Sequence, residues 1–191
     1  MLLAGSRLIN APIMGLQTGG ELARTKRAVV DPRTLAIIAY EVTGPLLAQN
    51  PSLLRIADVR EFSDVGLIID SNDEFVAPDD IIKLHEVYLM GFELLSMTVL
   101  DKKRRKLGKI IGYTIETEAF VIQQIAVKKP LWRSLNDTEL LIHRSQIIEI
   151  NDHEVIVEHE AEIPEPVALN TERVYANPFR KAPQPEHRDR A

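Results

Sequence analysis

The chain has 191 residues, 45% of them hydrophobic, which is enough to bury a core in one or two domains and excludes global disorder. It contains no cysteine, which excludes disulfides, thiolate metal sites and cysteine nucleophiles. A net charge of −5 argues against a nucleic-acid binder driven by total charge. Since no signal peptide and no run of about eighteen uncharged apolar residues is found, we expect a cytoplasmic protein.

Basic side chains are concentrated in the second half of the chain. Residues 1–95 carry 8 basic and 13 acidic side chains, residues 96–165 carry 10 and 12, and residues 166–191 carry 5 and 3. A positively charged surface is therefore expected in the second half or in the tail.

The first half consists of short apolar segments separated by turn signals. Gly19-Gly20 supplies the positive φ angles of a tight hairpin, and Asp31-Pro32 begins a second turn in which the proline fixes φ. This pattern is typical of a small barrel or sandwich. The expected strands cover residues 12–14, 22–30, 35–40, 53–56, 59–62 and 66–69.

Between residues 79 and 91 the apolar period changes to that of a helix. Asp79 is expected as the N-cap, and Gly91 supplies a C-terminal stop. We expect an ordered helix that packs against one or both halves of the chain. Its apolar face is expected to contain Ile81, Leu84, His85, Tyr88 and Leu89.

The second half repeats the apolar spacing of the first. An offset that changes only at loops indicates two copies of one β-unit. The matches are Leu22 on Leu107, Leu35 on Phe120, Ile37 on Ile122 and Val42 on Val127 at an offset of 85, Leu54 on Leu140 and Ile56 on Ile142 at 86, and Leu67 on Val155 at 88.

This repeat divides the chain into four parts. Residues 1–78 and 93–163 are the two β-units, and residues 79–92 are the connecting helix. Residues 164–191 are rich in proline and charge, so we expect them to be extended or disordered.

The second copy, in which the pattern is better preserved, resembles the PRC-barrel family. The first copy departs from the pattern, because Leu22-Ala23-Arg24 stands where the second has Leu107-Gly108-Lys109. The resemblance covers most of residues 94–160 and, less closely, residues 5–75. The matching residues are Val99, Asp101, Leu107-Gly108-Lys109-Ile110, Ile122, Ile147, Ile150 and Val155 to Val157.

The resemblance implies a mainly all-β protein made of two tandem small antiparallel β-barrels, joined by a short α-helix and followed by a disordered tail. Family members are docking modules, among them a domain of a ribosome maturation factor and one of a photosynthetic reaction-centre subunit, and no catalytic residue set comes with the fold. The resemblance therefore implies a non-enzymatic binding role.

The candidate partner-binding site lies at one end of the second barrel. The tip between its first two strands and the connection after its third strand lie at the same end of a meander. Asp152 and Glu154 are expected there too and would dilute the positive potential. The candidate partner-binding residues are Lys102, Lys103, Arg104, Arg105, Lys106, Lys128, Lys129, Trp132 and Arg133.

Each part of this end also has a purely structural interpretation. A basic run is most often a solvated hairpin tip, and a loop tryptophan such as Trp132 either covers the barrel mouth or anchors an interface. An anionic protein, RNA or a membrane headgroup would each fit the cations. Peripheral membrane contact has the least support, because no long amphipathic helix accompanies them.

Other site chemistries find little support. Asp70–Glu74 resembles the start of a calcium loop, but Phe75 and Ile81 stand where its glycine and final glutamate belong. His153 and His159 would lie roughly 20 Å apart along one strand, which disfavours zinc. No nucleophile elbow, phosphate loop or dinucleotide motif occurs, so we expect no catalytic residue, metal, cofactor or small-molecule substrate.

The leading hypothesis is a non-catalytic adaptor that binds a protein partner through its β-barrel surfaces. RNA processing or ribosome assembly is suggested only by the resemblance. Direct RNA binding by the basic residues at this end of the second barrel is the first alternative. A scaffold linked to a membrane or photosynthetic complex is the second.

Overall fold

The computed structural model describes residues 1–129 and 139–159, which form a mainly β structure with one mixed sheet of 14 strands. The helix α1 spans Ile82–Leu89. The strands are β1 Leu2–Ala4, β2 Pro12–Gly15, β3 Glu21–Asp31, β4 Ala36–Thr43, β5 Ser52–Arg55, β6 Glu61–Ser63, β7 Gly66–Ile69, β8 Phe75–Val76, β9 Thr98–Asp101, β10 Lys106–Glu116, β11 Val121–Lys128, β12 Glu139–His143, β13 Ile147–Ile150 and β14 Glu154–Val157.

Two groups of strands show the same order of pairing. The first strand set, β2 to β8, has the order β6-β7-β2-β3-β4-β5, with β8 added beside β5. The second strand set, β9 to β14, has the order β13-β14-β9-β10-β11-β12. In both sets the last hairpin returns the chain to the first strand, so β7 runs parallel to β2 and β14 runs parallel to β9.

The sheet is open and mixed, so the prediction of closed antiparallel barrels is wrong. Among the described residues no ladder joins β5 to β6 or β12 to β13. A 3₁₀ turn stands at each of these places, Ile56–Asp58 in the first set and Arg144–Gln146 in the second. These turns bend the backbone and bond it locally, as where Val59 N donates to Ile56 O at 3.1 Å, and so interrupt the ladder that closure requires.

The two sets meet where the first residues of β4 and β11 pair, Ala36 opposite Val121. Ile37 N donates to Phe120 O at 2.8 Å, and Ile122 N donates to Leu35 O at 2.9 Å. Leu35 and Phe120 are both buried and both have positive φ, 57° and 51°. One hydrophobic cluster contains residues from both sets, so the core is continuous across the junction.

The register of strand pairs gives the true internal offset. Tyr40 lies opposite Leu54, and Ile125 lies opposite Ile142. Because Tyr40 and Ile125 correspond at an offset of 85, Leu54 corresponds to Ile142 at 88, and the predicted match with Leu140 is wrong by two residues. The offset therefore changes in the connection after β4 and β11, where the apolar pattern gives no guide to loop length.

The N-terminal residues belong to the second set, which the sequence pattern did not indicate. Leu2–Ala4 pairs antiparallel with the end of β10, Leu2 opposite Glu116 and Ala4 opposite Thr114. Three residues are too few for a periodic signal, so only the neighbouring strand identifies β1.

The helix α1 begins later than predicted. Asp79 lies in a 3₁₀ turn at Pro78–Asp80, and Ile81 is the N-cap without a side-chain hydrogen bond, so the predicted Asp79 cap is wrong. The carboxylate of Asp80 instead accepts a hydrogen bond from Ala77 N at 2.6 Å, which caps the preceding turn. The predicted stop is confirmed, since Gly91 has φ of 59°.

Among the described residues, the cluster that buries the helix contains strand residues of the first set. Leu84 and Val87 are buried in a cluster with side chains of β3, β4 and β5. Leu89 is 68% exposed, so its predicted place on the apolar face is wrong. Ile81 and Tyr88, both predicted on the apolar face, are partly buried against the same cluster.

Glu41 in β4 is a buried carboxylate that faces two cations of β3. Lys26 Nζ lies 2.5 Å from Glu41 Oε1, and Arg27 Nη2 lies 3.1 Å from Glu41 Oε2. Burial by itself raises the pKa of Glu41. The hydrogen bonds and charges of Lys26 and Arg27 outweigh it, and the pKa lies below its usual value of 4.5.

The stability of the protein should therefore depend on the charge of Glu41. Because folding lowers the pKa of Glu41, this stabilisation is fully present at pH values above the ordinary pKa of the carboxyl group. It is lost as the pH falls through the lower pKa of the folded protein. We expect Glu41→Gln to lower the free energy of unfolding by about 1–2 kcal/mol at pH 7 and by less at pH 3.5. Urea unfolding at both pH values measures this. Glu61→Gln, at an exposed residue, is the control, and equal pH profiles of the two variants would contradict the assignment.

Candidate functional site

The turn between β9 and β10 is built on a buried carboxylate. Asp101 is 1% exposed, and its Oδ1 accepts hydrogen bonds from the backbone N–H groups of Lys103 and Arg105, both at 2.8 Å. Its Oδ2 accepts a bond from Arg105 Nε at 2.6 Å. Arg104 takes a positive φ of 60° in the same turn. The basic tip is therefore a bonded turn whose shape Asp101 sets.

Carboxylates of β14 and the residue after it reach this tip. Lys102 pairs with Glu158, and Arg104 pairs with Glu154. Parallel pairing of β14 with β9 sets Val157 opposite Asp101, and so brings the end of β14 to the turn. The tip is therefore a surface of alternating charges.

The predicted dilution of the positive potential came from partly different residues. Glu154 was expected here and is present. Asp152 precedes β14, at the strand end away from the turn, and Glu158 takes its place. The parallel direction of β14 brings Glu158 to the turn, while Glu154 at the strand's start, opposite Thr98, is reached by the long side chain of Arg104.

The end of β11 places lysines beside the start of β10. Lys128 lies directly opposite Lys109 in the antiparallel ladder. Side chains directly opposite in such a ladder are neighbours, and like charges there cost stability. Glu139 lies opposite Lys128 on its other side, but none of the ion pairs among the described residues involves Lys109 or Lys128.

We define the basic end as the β9–β10 turn together with Lys109, Lys128 and Lys129. The strand order confirms the prediction from a meander topology that the start of β10 and the end of β11 lie at one end of the sheet. Trp132 and Arg133 lie outside the described residues. The sequence analysis missed Lys109 as a member of the site, although its place in the Leu-Gly-Lys-Ile motif was visible.

A cleft of about 220 Å³ opens at the basic end. Its walls carry both charges, since lysine and arginine side chains stand with carboxylates. An arrangement of this kind suits a charged macromolecular surface that offers both signs. The lining residues are Asp101, Lys102, Lys103, Arg105, Glu158 and His159.

The other sequence candidates are bonded elsewhere. Asp70 pairs with Arg60, and Glu74 accepts a hydrogen bond from Ser71 N at 2.8 Å, so these oxygens of the calcium-like segment have partners within the protein. Across residues 1–129 and 139–159, no group of three or more histidine or acidic side chains is close enough to hold a metal ion. No helix of this part of the chain is long and apolar enough to cross a bilayer.

Comparisons with known proteins identify no family. The chain matches no protein-family model, and it matches no curated protein. A solved structure that it resembles is that of RimM from Pseudomonas aeruginosa, described as a 16S ribosomal RNA processing protein. The identity is 16%, the match covers 85% of this chain and all of the other, and the TM-score is 0.29. At that score the likeness carries no argument about function.

Proposed function

We propose that the protein is a non-catalytic docking protein that binds a macromolecular partner at the basic end of its second strand set. The observation that carries the proposal is the apposition of Lys109 and Lys128 on neighbouring strands. Two like charges held directly opposite each other cost stability, and an anionic partner would remove that cost. The buried Asp101 holds the adjoining turn in shape before a partner binds, which lowers the entropic cost of binding.

A protein partner fits this end better than a polyphosphate chain. Lys102, Arg104 and Arg105 each already have a carboxylate partner, so the turn offers both signs of charge. Complementary charge patterns of this kind give specificity and correct register between protein surfaces. RNA is the second candidate, favoured by Lys109 and Lys128 alone.

The resemblance to PRC-barrel domains supports ribosome assembly as the setting. It rests on the Leu107-Gly108-Lys109-Ile110 motif and on the apolar spacing around it. Family members of that kind act as docking modules, so the setting and the proposed role agree. We therefore propose a partner among the proteins that act in ribosome maturation.

The experiment compares two variants with equal changes of charge. We expect Lys109→Glu/Lys128→Glu to lose at least about tenfold of the affinity for the protein partner, which is first isolated by capture on the wild-type chain. Arg7→Glu/Lys83→Glu, at exposed residues elsewhere, should retain it. Titration calorimetry with the purified partner measures both. Equal affinities of the two variants would contradict the proposal.

A separate titration tests the RNA alternative. A short single-stranded RNA is added at several salt concentrations, and binding is followed by fluorescence anisotropy. If RNA binds through the two lysines, changing both to Gln should reduce the slope of log K against log salt by about 1.5. Absence of RNA binding at low salt would remove this alternative and leave the protein partner.

A further inference from the structure

The two strand sets differ most in the exposure of one sheet face. We define the outer face of the second set as the part of β10 to β12 around Leu141, on the side of the sheet away from the core, without the charged residues at its ends. Leu141 is 64% exposed on this face, whereas Leu53, which corresponds to it at the offset of 88, is 0% exposed. The outer face consists of Ile111, Gly112, Thr114, Gln124, Ala126 and Leu141.

Residues that follow β7 cover the corresponding face of the first set. Leu84 and Val87 of α1 pack into one cluster with Val29, Ala39 and Leu53. The strand β8 also pairs with the free edge of β5. On the second set, β12 has only β11 as a neighbour among the described strands. Leu141 is therefore exposed at the position where α1 and β8 bury Leu53 in the first set.

The sequence that follows the second set repeats the sequence of that cover. Pro166 corresponds to Pro78 at an offset of 88, and each lies nine residues after the last residue of the strand that closes the repeated hairpin, Val157 of β14 or Ile69 of β7. The segment Val87-Tyr88-Leu89-Met90-Gly91-Phe92 then corresponds to Val174-Tyr175-Ala176-Asn177-Pro178-Phe179 at an offset of 87, with Val, Tyr and Phe retained.

Changes in the two segments match changes in the two faces. Val87 and Leu53, which share the cluster, correspond to Val174 and Leu141, and both positions stay apolar. At the position of Leu84 the segment has the polar Thr171, and two of the three strand residues in that cluster are also replaced by polar residues. The correspondences are Leu84 to Thr171, Val29 to Thr114 and Ala39 to Gln124.

One contact of the first set has no counterpart. The guanidinium of Arg27 lies 5.7 Å from the ring centroid of Tyr88, and the position of Arg27 is taken by Gly112 in the second set. Gly112 and Ala126 leave that part of the outer face without bulky side chains, which gives an aromatic ring such as that of Tyr175 room to lie on the sheet.

We propose that the chain's own residues 166–179 bind the outer face of the second set, in the place that residues 78–92 take on the first. The repeated sequence and the equal spacing of nine residues identify this segment as the one that binds. The binding buries Leu141 and covers the exposed apolar part of the face, Ile111 and Leu141, which would otherwise favour association with other chains. The proposed contacts are with Leu141 and its neighbours, whereas Lys109 and Lys128 lie at the far end of the same side of the sheet, so the tests below do not depend on the docking role.

Cross-linking of the full chain tests the proposal, since the protein has no cysteine of its own. Leu141→Cys/Val174→Cys should form an intramolecular cross-link with a short bismaleimide at least about ten times faster than the control Val65→Cys/Val174→Cys, because binding raises the effective concentration of one end at the other. Val65 is a suitable control because it is 60% exposed, close to Leu141, but belongs to the first set. Equal rates for the two pairs would overturn the proposal, and so would cross-links between two molecules, which would identify a second copy as the occupant.

A second measurement does not depend on the cross-linker. The thiol of Leu141→Cys should be alkylated about five times faster after Val174→Asp/Tyr175→Asp, because the charged side chains cannot bury against an apolar face. Ala182→Asp/Gln184→Asp, which lies beyond the repeated segment, should leave the rate unchanged. If the first double variant also leaves it unchanged, the face is open to an external partner and the proposal is wrong.

Discussion

Gly108→Ala is expected to lower the free energy of unfolding by about 3 kcal/mol. A Cβ at position 108 would lie 2.1 Å from Lys128 O and 2.8 Å from its carbonyl carbon. These are backbone atoms of the neighbouring strand, so β10 and β11 would have to separate to make room. For a chain of this length the change corresponds to a fall in Tm of about 6–12 °C, which thermal unfolding followed by circular dichroism would detect.

The same strand offers a matched control. A Cβ at Gly112 meets nothing nearer than Ala126 Cβ at 4.0 Å, so Gly112→Ala should change stability by less than about 0.5 kcal/mol. Equal destabilisation by the two substitutions would show that the close approach of Lys128 O is not the reason for the glycine.

In the first set, a different residue makes room for the close approach of the two strands. Ala23 stands at the position of Gly108, and across from it Gly44 takes the position of Lys129. A Cβ at Gly44 would lie 3.0 Å from Ala23 Cα and 3.2 Å from Ala23 Cβ. The small residue therefore moves from one strand to the other, which explains why the first copy departs from the Leu-Gly-Lys-Ile pattern.

Asp101→Ala is expected to cost about 3 kcal/mol and to disorder the basic turn. The substitution removes the acceptor of two backbone N–H groups and of the Arg105 guanidinium, and it leaves Arg105 without its carboxylate. Chemical denaturation measures the loss of stability. Amide hydrogen exchange at Lys103 and Arg105 should accelerate by more than the loss of global stability alone would cause.

Two variants control this prediction. Asp101→Asn keeps an acceptor for the backbone but loses the charge, so it should cost about half as much. Asp152→Ala, at an exposed residue away from the turn, should be nearly neutral. An Asn variant as unstable as the Ala variant would indicate that the charge of Asp101, and not its hydrogen bonds to the turn, holds the basic tip.

The turns and strands of this protein could be predicted because their signals are local. Gly19 has a positive φ of 65°, as the tight hairpin after β2 requires, and β3 is found where the apolar segment of residues 22–30 indicated a strand. A backbone conformation that only glycine adopts easily, or a period of two, depends on residues close in sequence. The repeat of the apolar spacing was visible for the same reason.

Properties that depend on distant neighbours could not be predicted. The match of Leu54 with Ile142 required strand register, and the pairing of β1 with β10 required a strand more than 100 residues away. Closure of the sheet was predicted wrongly, because it depends on whether β5 pairs with β6 and β12 with β13, which local sequence patterns do not decide. At the basic end, the lysines were identified from the sequence, but their carboxylate partners Glu154 and Glu158 depend on the direction of β14.

By itself, the sequence determined the β class, the turns, the repeat and the cluster of basic residues, since each follows from composition and short-range spacing. Only the tertiary structure decided that the sheet is open, that the two sets join through β4 and β11, and that Lys109 stands against Lys128. The physical reason is that exposure and charge pairing are set by what packs beside a residue. Leu53 and Leu141 occupy the same place in the repeat, and α1 and β8 bury the first while the second remains open among the described residues.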